Sequence, residues 1–150
     1  MIIKNILTPA RTLCSVRGSS KKKVLELIAT AISEEIPAIS GKALFSSLIS
    51  RERLGTTGIG DGIAIPHCRT KYCTEPIGLF IQFAEPIDFE ATDHKPVDLV
   101  FALIVPEESS QQHLDILKAL VGRFQTSKLL AKLRGASNSA ELYDIITSDA

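Results

Sequence analysis

Residues 97–105 read VDLVFALIV, and the segment Leu99 to Val105 within them is the longest uninterrupted apolar run of the chain. Such continuous apolarity indicates a strand buried on both faces, in a sheet that helices cover on each side. The run is far shorter than the roughly 18 apolar residues that a membrane helix needs. Residues 77–84, IGLFIQFA, share its β-branched and aromatic character and predict a second strand.

Two amphipathic helices are predicted before these strands. Ser20 can cap the first, whose apolar stripe ends before Pro37, and Ser40 can cap the second, which Gly55 closes. A short strand is expected at 13–16, another at 63–65, and 86–89 is a candidate for a further one. The helical patterns and the strand patterns therefore occupy separate parts of the chain.

Helical patterns return after the apolar strand. Ser109 with Gln112 three residues later forms a capping box, and the apolar stripe behind it is predicted to be buried. The stripe consists of Leu114, Leu117, Leu120, Val121 and Phe124. A short helix is expected at 126–134 and a last one after Asn138. Strands with helices before and after them predict an α/β fold, a three-layer α/β/α sandwich with a mixed central sheet, as one domain over residues 1–150.

The charge balance narrows the possible functions. Seventeen Lys and Arg residues balance seventeen Asp and Glu residues, so the chain has no formal net charge. Nucleic-acid and membrane-surface proteins usually carry a basic face, and we therefore expect neither partner. The N-terminus does not resemble a signal peptide, and three cysteines are an odd number for a disulfide framework. A cytoplasmic protein with reduced thiols and no membrane insertion is expected.

The glycine-rich segment GTTGIGDGIAIPH, residues 55–67, fails the spacing rules of nucleotide-binding loops. The third glycine of a dinucleotide fingerprint would fall at Ile63, and Asp61 stands where a Walker A loop has lysine. The segment does fix the direction of one histidine, His67. Pro66 restricts the backbone and places His67 just past the end of the strand at 63–65. His67 is a candidate nucleophile, although an ordinary loop histidine remains the alternative.

Two further residues are candidates for phosphate contact. His113 lies in the first turn of its helix, where a neutral histidine can donate to an anion, although a partly buried structural histidine is equally compatible with this position. Arg51 closes the helix before the glycine segment, and guanidinium suits bidentate phosphate binding. A surface arginine that stabilises the helix end is the simpler alternative for Arg51.

These residues resemble a known signature. Glu52, six further residues and the segment Ile59 to Cys68 are similar to the phosphorylation motif of the mannitol/fructose-type enzyme IIA domains of the bacterial phosphotransferase system. The stretches SRERLGTTGIGDGIAIPH, PIDF, KPVDLVFALIVPE, QQHLDIL and ELYDIIT extend the resemblance over nearly the whole chain. Together they resemble the nitrogen-regulatory branch of that family.

The resemblance implies roles for individual residues. His67 corresponds to the phosphoacceptor, His113 to the second active-site histidine, and Arg51 to the arginine beside them. Asp61, flanked by Gly60 and Gly62, stands where sugar-specific members tend to carry glutamate, and the three are expected to support phosphate binding. The resemblance implies no cofactor and no metal.

The implied partners are a histidine phosphocarrier protein (HPr- or NPr-like) as phosphoryl donor and target proteins that the phosphorylation state regulates. Whether to class the chain as an enzyme stays open, since transfer between phosphohistidines would serve mainly regulation. The alternative is a sugar-specific IIA that passes its phosphoryl group to a separate IIB domain. Two weaker alternatives are a zinc site built from His67, Cys68, Cys73 and either His94 or His113, and a cysteine nucleophile at Cys68.

Overall fold

The computed structural model describes residues 2–108 and 110–148. The helices are α1 (Ile2–Ile6), α2 (Lys21–Glu35), α3 (Gly41–Leu54), α4 (Ser110–Arg123), α5 (Ser127–Arg134) and α6 (Ser139–Thr147). The strands are β1 (Thr12–Val16), β2 (Gly58–Gly60), β3 (Ile63–Ala64), β4 (His67–Thr70), β5 (Ile77–Ile87) and β6 (Val97–Pro106). None of the helices in these two ranges combines the length and the apolarity needed to cross a membrane.

The apolar strand β6 lies at the centre of a mixed, six-stranded sheet. It pairs antiparallel with β5, and on its other side it pairs parallel with β3 and then with β4. β1 adds a parallel strand outside β5, and β2 adds an antiparallel strand outside β3. The predicted mixed sheet is therefore confirmed, and β3 and β4 lie end to end along one side of β6.

Alternate side chains of β6 enter two separate apolar cores. Val100, Ala102 and Ile104 pack with α2 and α3 on one face of the sheet. Residues of the opposite parity, such as Phe101 and Leu103, pack with α1, α4, α5 and α6 on the other face. The three-layer α/β/α sandwich predicted from the sequence is confirmed, and burial on both faces explains why β6 is apolar throughout.

Local capping chemistry sets three of the helix starts. The Ser20 side chain accepts a hydrogen bond from the Lys23 amide, and Ser40 and Asn138 cap α3 and α6 in the same way. Each cap satisfies a backbone N–H that the first helical turn leaves without a partner. These caps agree with the predicted helix starts. The capping box predicted for α4 rests on Ser109, which lies outside the described residues.

Four details differ from the sequence-based expectations. α1 was not predicted, and the segment 86–89 forms no separate strand, because β5 continues to Ile87. His67 follows the strand β3 as predicted, but it also begins a further strand, β4, which was not predicted. Leu114, predicted to be buried, is 51% exposed, because α4 presents His113 and Ile116 to the core instead.

Candidate functional site

A break between two collinear strands places His67. Ile63 of β3 lies opposite Leu99 of β6, and His67, the first residue of β4, lies opposite Leu103 of the same strand. Pro66 occupies the break, where its carbonyl accepts a hydrogen bond from the Leu103 amide at 2.9 Å. Proline has no N–H to donate, so the strand is interrupted here and resumes at His67 in a fixed orientation.

The hydrogen bonds of the His67 ring define its tautomer. Nδ1 lies 2.7 Å from the carbonyl oxygen of Ile65, which can only accept, so Nδ1 carries the proton. Nε2 accepts a hydrogen bond from Nε of Arg51 at 3.2 Å. The neutral ring therefore carries its lone pair on Nε2, directed toward a guanidinium group. A nucleophilic nitrogen beside a fixed positive charge suits attack on an anionic, phosphate-like centre.

The last turn of α3 holds Arg51 in this position. Its Nη1 donates to the carbonyl of Gly55 at 2.8 Å, so the guanidinium bridges the helix end and His67. The next residue, Glu52, is buried and accepts hydrogen bonds from the backbone amide of Thr57 at 2.9 Å and from its hydroxyl at 2.6 Å. Lys21 neutralises this carboxylate at 2.7 Å. The segment between α3 and β2 is thereby tied to α2.

His113, on α4, contacts His67 from the face of the sheet opposite to the one that α3 and Arg51 occupy. It is buried in the first turns of α4, and its ring meets that of His67 edge to face, with 5.2 Å between centroids. Its Nδ1 accepts a long hydrogen bond, 3.5 Å, from Nε of Arg69. Its Nε2 is buried and has no hydrogen-bond partner within residues 2–108 and 110–148. Leaving a buried donor without a hydrogen-bond partner costs free energy, which indicates that an acceptor binds next to Nε2.

Both histidines are biased toward the neutral form. Burial lowers the pKa of His67 below its ordinary value, and the adjacent Arg51 guanidinium lowers it further, while the hydrogen bond to Ile65 opposes the shift. Burial together with the nearby His67, Arg69 and Arg51 lowers the pKa of His113 to about 4. At neutral pH the site therefore combines two arginine cations with two uncharged imidazoles, so it can receive an anion.

These residues open onto a cleft of about 680 Å³ between α3 and α4. Three serines of α3, Ser46, Ser47 and Ser50, line one side of the cleft. Leu54 stands at its rim and is 85% exposed, which is unusual for a large apolar side chain. The cleft is open to solvent, so His67 is accessible from outside the molecule.

Gly60, Asp61 and Gly62 lie elsewhere. They form the turn between β2 and β3, with positive φ at all three residues. Arg134 donates to the Asp61 carbonyl, and the Gly62 carbonyl accepts from backbone amides that begin β6. Ile63, next to this turn, lies opposite Leu99 and His67 lies opposite Leu103, and a step of four residues along β6 spans about 13 Å. The structure thus does not bring these three residues, expected to support phosphate binding, to the cleft.

The geometry of the described residues bears on the two weaker alternatives, the zinc site and the Cys68 nucleophile. No group of three or more His, Cys, Asp and Glu side chains in residues 2–108 and 110–148 is arranged to hold a metal ion. Burial, with Cys73 nearby, raises the pKa of Cys68 to about 12. A thiol that stays protonated is a poor nucleophile. The geometry thus offers His67, rather than Cys68, as the reactive group.

Arg69 is a site residue that the sequence analysis did not single out. The sequence could have predicted Arg69 as a site residue, because residues two apart on a strand share a face and Arg69 follows His67 by two. Ile63 and Ile65 precede them with the same parity and belong to the core on the α4 side. The parity of β4 therefore directs both His67 and Arg69 toward His113.

Comparison with known proteins places the chain in a protein family. The family model described as "Phosphoenolpyruvate-dependent sugar phosphotransferase system, EIIA 2" matches residues 5–149. The chain belongs to this family, as the resemblance of its histidine motif suggested.

Individual relatives point to one branch of the family. The chain is 42% identical over 144 residues to a nitrogen regulatory protein of Pseudomonas aeruginosa, covering 96% of this chain and 94% of that protein. The nitrogen regulatory protein of Escherichia coli K12 is 37% identical over 146 residues, covering 97% and 89%. The crystal structure of the nitrogen regulatory protein IIA-Ntr from Neisseria meningitidis superposes with a TM-score of 0.90 at 35% identity, covering 98% and 100%.

Proposed function

We propose that this chain is a nitrogen-regulatory enzyme IIA that accepts a phosphoryl group on Nε2 of His67 from the phosphohistidine of a histidine phosphocarrier protein. The observation that carries the proposal is the hydrogen bonding of His67, which leaves the Nε2 lone pair facing the cleft and Arg51. The family membership and the nitrogen regulatory relatives support it.

The proposed step is an in-line displacement. The Nε2 lone pair of His67 attacks phosphorus, the new N–P bond forms as the donor's N–P bond breaks, and the donor imidazole keeps the released electron pair. Such transfers have a loose transition state, so positioning and charge stabilisation supply most of the catalysis. The proton of His67 stays on Nδ1 throughout, where its hydrogen bond to the Ile65 carbonyl holds the ring orientation.

Arg51 and His113 supply the charge stabilisation. Once Nε2 is bonded to phosphorus it can no longer accept from Arg51, and the guanidinium then donates to a phosphoryl oxygen next to it. The unpartnered Nε2–H of His113 gains an acceptor in a second phosphoryl oxygen. Both donors are in place before the reaction, as electrostatic catalysis requires. The step calls for no cofactor from the chain.

The test is transfer from a complete donor system. Phosphoenolpyruvate, the general phosphotransferase enzyme and the histidine phosphocarrier protein should add one acid-labile phosphoryl group to the wild type, measured by intact mass. His67→Ala should gain none, while His94→Ala, a substitution of an exposed histidine, should gain as much as the wild type. An equal gain in His67→Ala would reject His67 as the acceptor.

We further propose that phosphorylation switches association with regulated target proteins rather than feeding sugar uptake. The names of the similar nitrogen regulatory proteins support this choice. Phosphorylated and unphosphorylated forms used as bait should recover different sets of partners, identified by mass spectrometry. Recovery of a sugar IIB domain alone would favour the sugar-specific alternative instead.

A further inference from the structure

Arg69 is placed to act on the second histidine rather than on the first. On β4 it shares a face with His67, and its Nε donates to Nδ1 of His113 at 3.5 Å. Within the part of the chain that the structure describes, no carboxylate forms an ion pair with Arg69. Arg69 is exposed and its side chain donates to an imidazole nitrogen, so it is a candidate for orienting that ring.

The kind of partner on Nδ1 decides where the proton of a neutral histidine lies. Guanidinium can only donate, so a nitrogen that contacts it must present a lone pair. A carboxylate in the same place would accept, would draw the proton to Nδ1 and would favour the imidazolium form. With Arg69 as its partner, His113 keeps its single proton on Nε2, on the side of the ring away from Arg69.

That proton is the one without a partner. Among the described residues, Nε2 of His113 is buried and neither donates nor accepts a hydrogen bond. The ring that carries it lies 5.2 Å from the ring of His67. Were the proton on Nδ1, it would point at the Arg69 guanidinium, and Nε2 would offer a lone pair that repels a phosphoryl oxygen. The tautomer therefore determines whether His113 can help the transfer at all.

We infer that Arg69 is a positioning residue for phosphoryl transfer, which fixes His113 in the Nε2–H tautomer so that it can donate to the phosphoryl group on His67. The inference rests on the proposed function for its catalytic consequence, but the tautomer itself is a property of the unphosphorylated protein. The hydrogen bond is long before the reaction, as is common for catalytic contacts that tighten when the substrate binds.

The tautomer can be measured directly. Two-bond ¹⁵N–¹H correlation spectra of uniformly ¹⁵N-labelled protein at neutral pH distinguish a protonated ring nitrogen from a bare one. The wild type should show His113 protonated on Nε2 and bare on Nδ1. Arg69→Met should show exchange with the Nδ1–H tautomer, and Arg69→Lys, which keeps a donor, should restore the wild-type pattern. Arg17→Met, at another exposed arginine, should leave the His113 signals unchanged.

The rate provides the second readout. Arg69→Met should slow phosphorylation of His67 about 10-fold, the usual size of an effect transmitted through one orienting partner, and Arg69→Lys should recover most of the loss. The signals of His67 in the same spectra report whether the site remains folded, and Arg69 lies on the surface, where substitution spares the core.

Two results would overturn the inference. One is a wild-type His113 with its proton on Nδ1, and the other is an Arg69→Met protein whose His113 tautomer matches the wild type, whether or not its phosphorylation is slower. If the wild type accepts no phosphoryl group at all, the proposed function fails, while the tautomer spectra still decide the role of Arg69.

Discussion

At the scale of single residues, the site works by keeping its imidazoles uncharged next to fixed cations. Burial alone would disfavour charge on both rings; Arg51 adds to this effect at both, and Arg69 adds to it at His113. A charged His67 would have no lone pair on Nε2 for attack. In the proposed transfer, the interactions that would attract a phosphoryl group therefore also keep the His67 lone pair available for attack.

We expect the reactivity of His67 to persist in acid better than that of an ordinary histidine. Its pKa lies below the usual value, so as the pH falls through about 6.5 a larger fraction of His67 than of a reference histidine peptide should stay neutral. With phosphoramidate as a small phosphoryl donor, the rate of His67 relative to that of the peptide should rise as the pH falls through this range. Parallel decline of the two rates would contradict the lowered pKa.

His113 should make folding stability depend on pH. Its pKa of about 4 in the folded chain lies below the ordinary 6.5, so between these values the unfolded chain binds a proton that the folded chain does not. The free energy of unfolding should therefore be intact above pH 6.5 and decline toward pH 4, by up to about 1.4 kcal/mol per pH unit. Urea titrations of His113→Gln should show a shallower decline, whereas His94→Gln should follow the wild type.

At the scale of secondary structure, local chemistry was predictable and non-local pairing was not. The caps at Ser20, Ser40 and Asn138 are contacts within one turn, so the sequence contains all the necessary information. The phase of α4 is different, because His113 and Leu114 are both compatible with an apolar stripe, and packing against the sheet selected His113. β4 forms because it can pair with β6, whose residues lie 36 positions further along the chain, as His67 opposite Leu103 shows.

The turn between β2 and β3 should matter for folding rather than for transfer. Gly62 has φ +80°, and a Cβ there would collide with the side chains of Arg134 and Asp98, which pair with each other. We expect Gly62→Ala to lower the free energy of unfolding by about 1–3 kcal/mol. The folded fraction should still accept a phosphoryl group on His67, because the turn lies at the far end of β3.

A matched glycine tests that reasoning. Gly122 is the penultimate residue of α4, and a Cβ there would meet no atom within 4 Å. Gly122→Ala should raise the free energy of unfolding by up to about 0.5 kcal/mol, less than in a helix interior, since alanine is the better helix former. Denaturant titration of the two variants should thus give shifts of opposite sign. Loss of phosphorylation in folded Gly62→Ala would instead mean that the turn acts on the site.

At the scale of the whole molecule, the layers could be predicted from one strand, but the composition of the site could not be predicted from one motif. The apolar strand β6 required helices on both faces, and the structure has them. The family resemblance pointed to Arg51 and His113, which the fold brings to His67. The resemblance also pointed to Gly60 and Gly62, which are close to His67 in sequence. The structure places them at the other end of β3, because an extended strand advances about 3.3 Å per residue.

The neutral charge of the chain would make the proposed phosphorylation measurable as a property of the whole molecule. A phosphoryl group adds about −1.5 to −2 charges at neutral pH, and the chain starts from a formal net charge of zero. Native electrophoresis after treatment with the donor system should therefore resolve a second, faster-migrating anionic band, which brief acid treatment should remove. His67→Ala should keep the single slow band under the same conditions. A second band in His67→Ala would mean that the charge is added elsewhere, whereas an unshifted wild type would mean that no stable phosphoryl adduct forms.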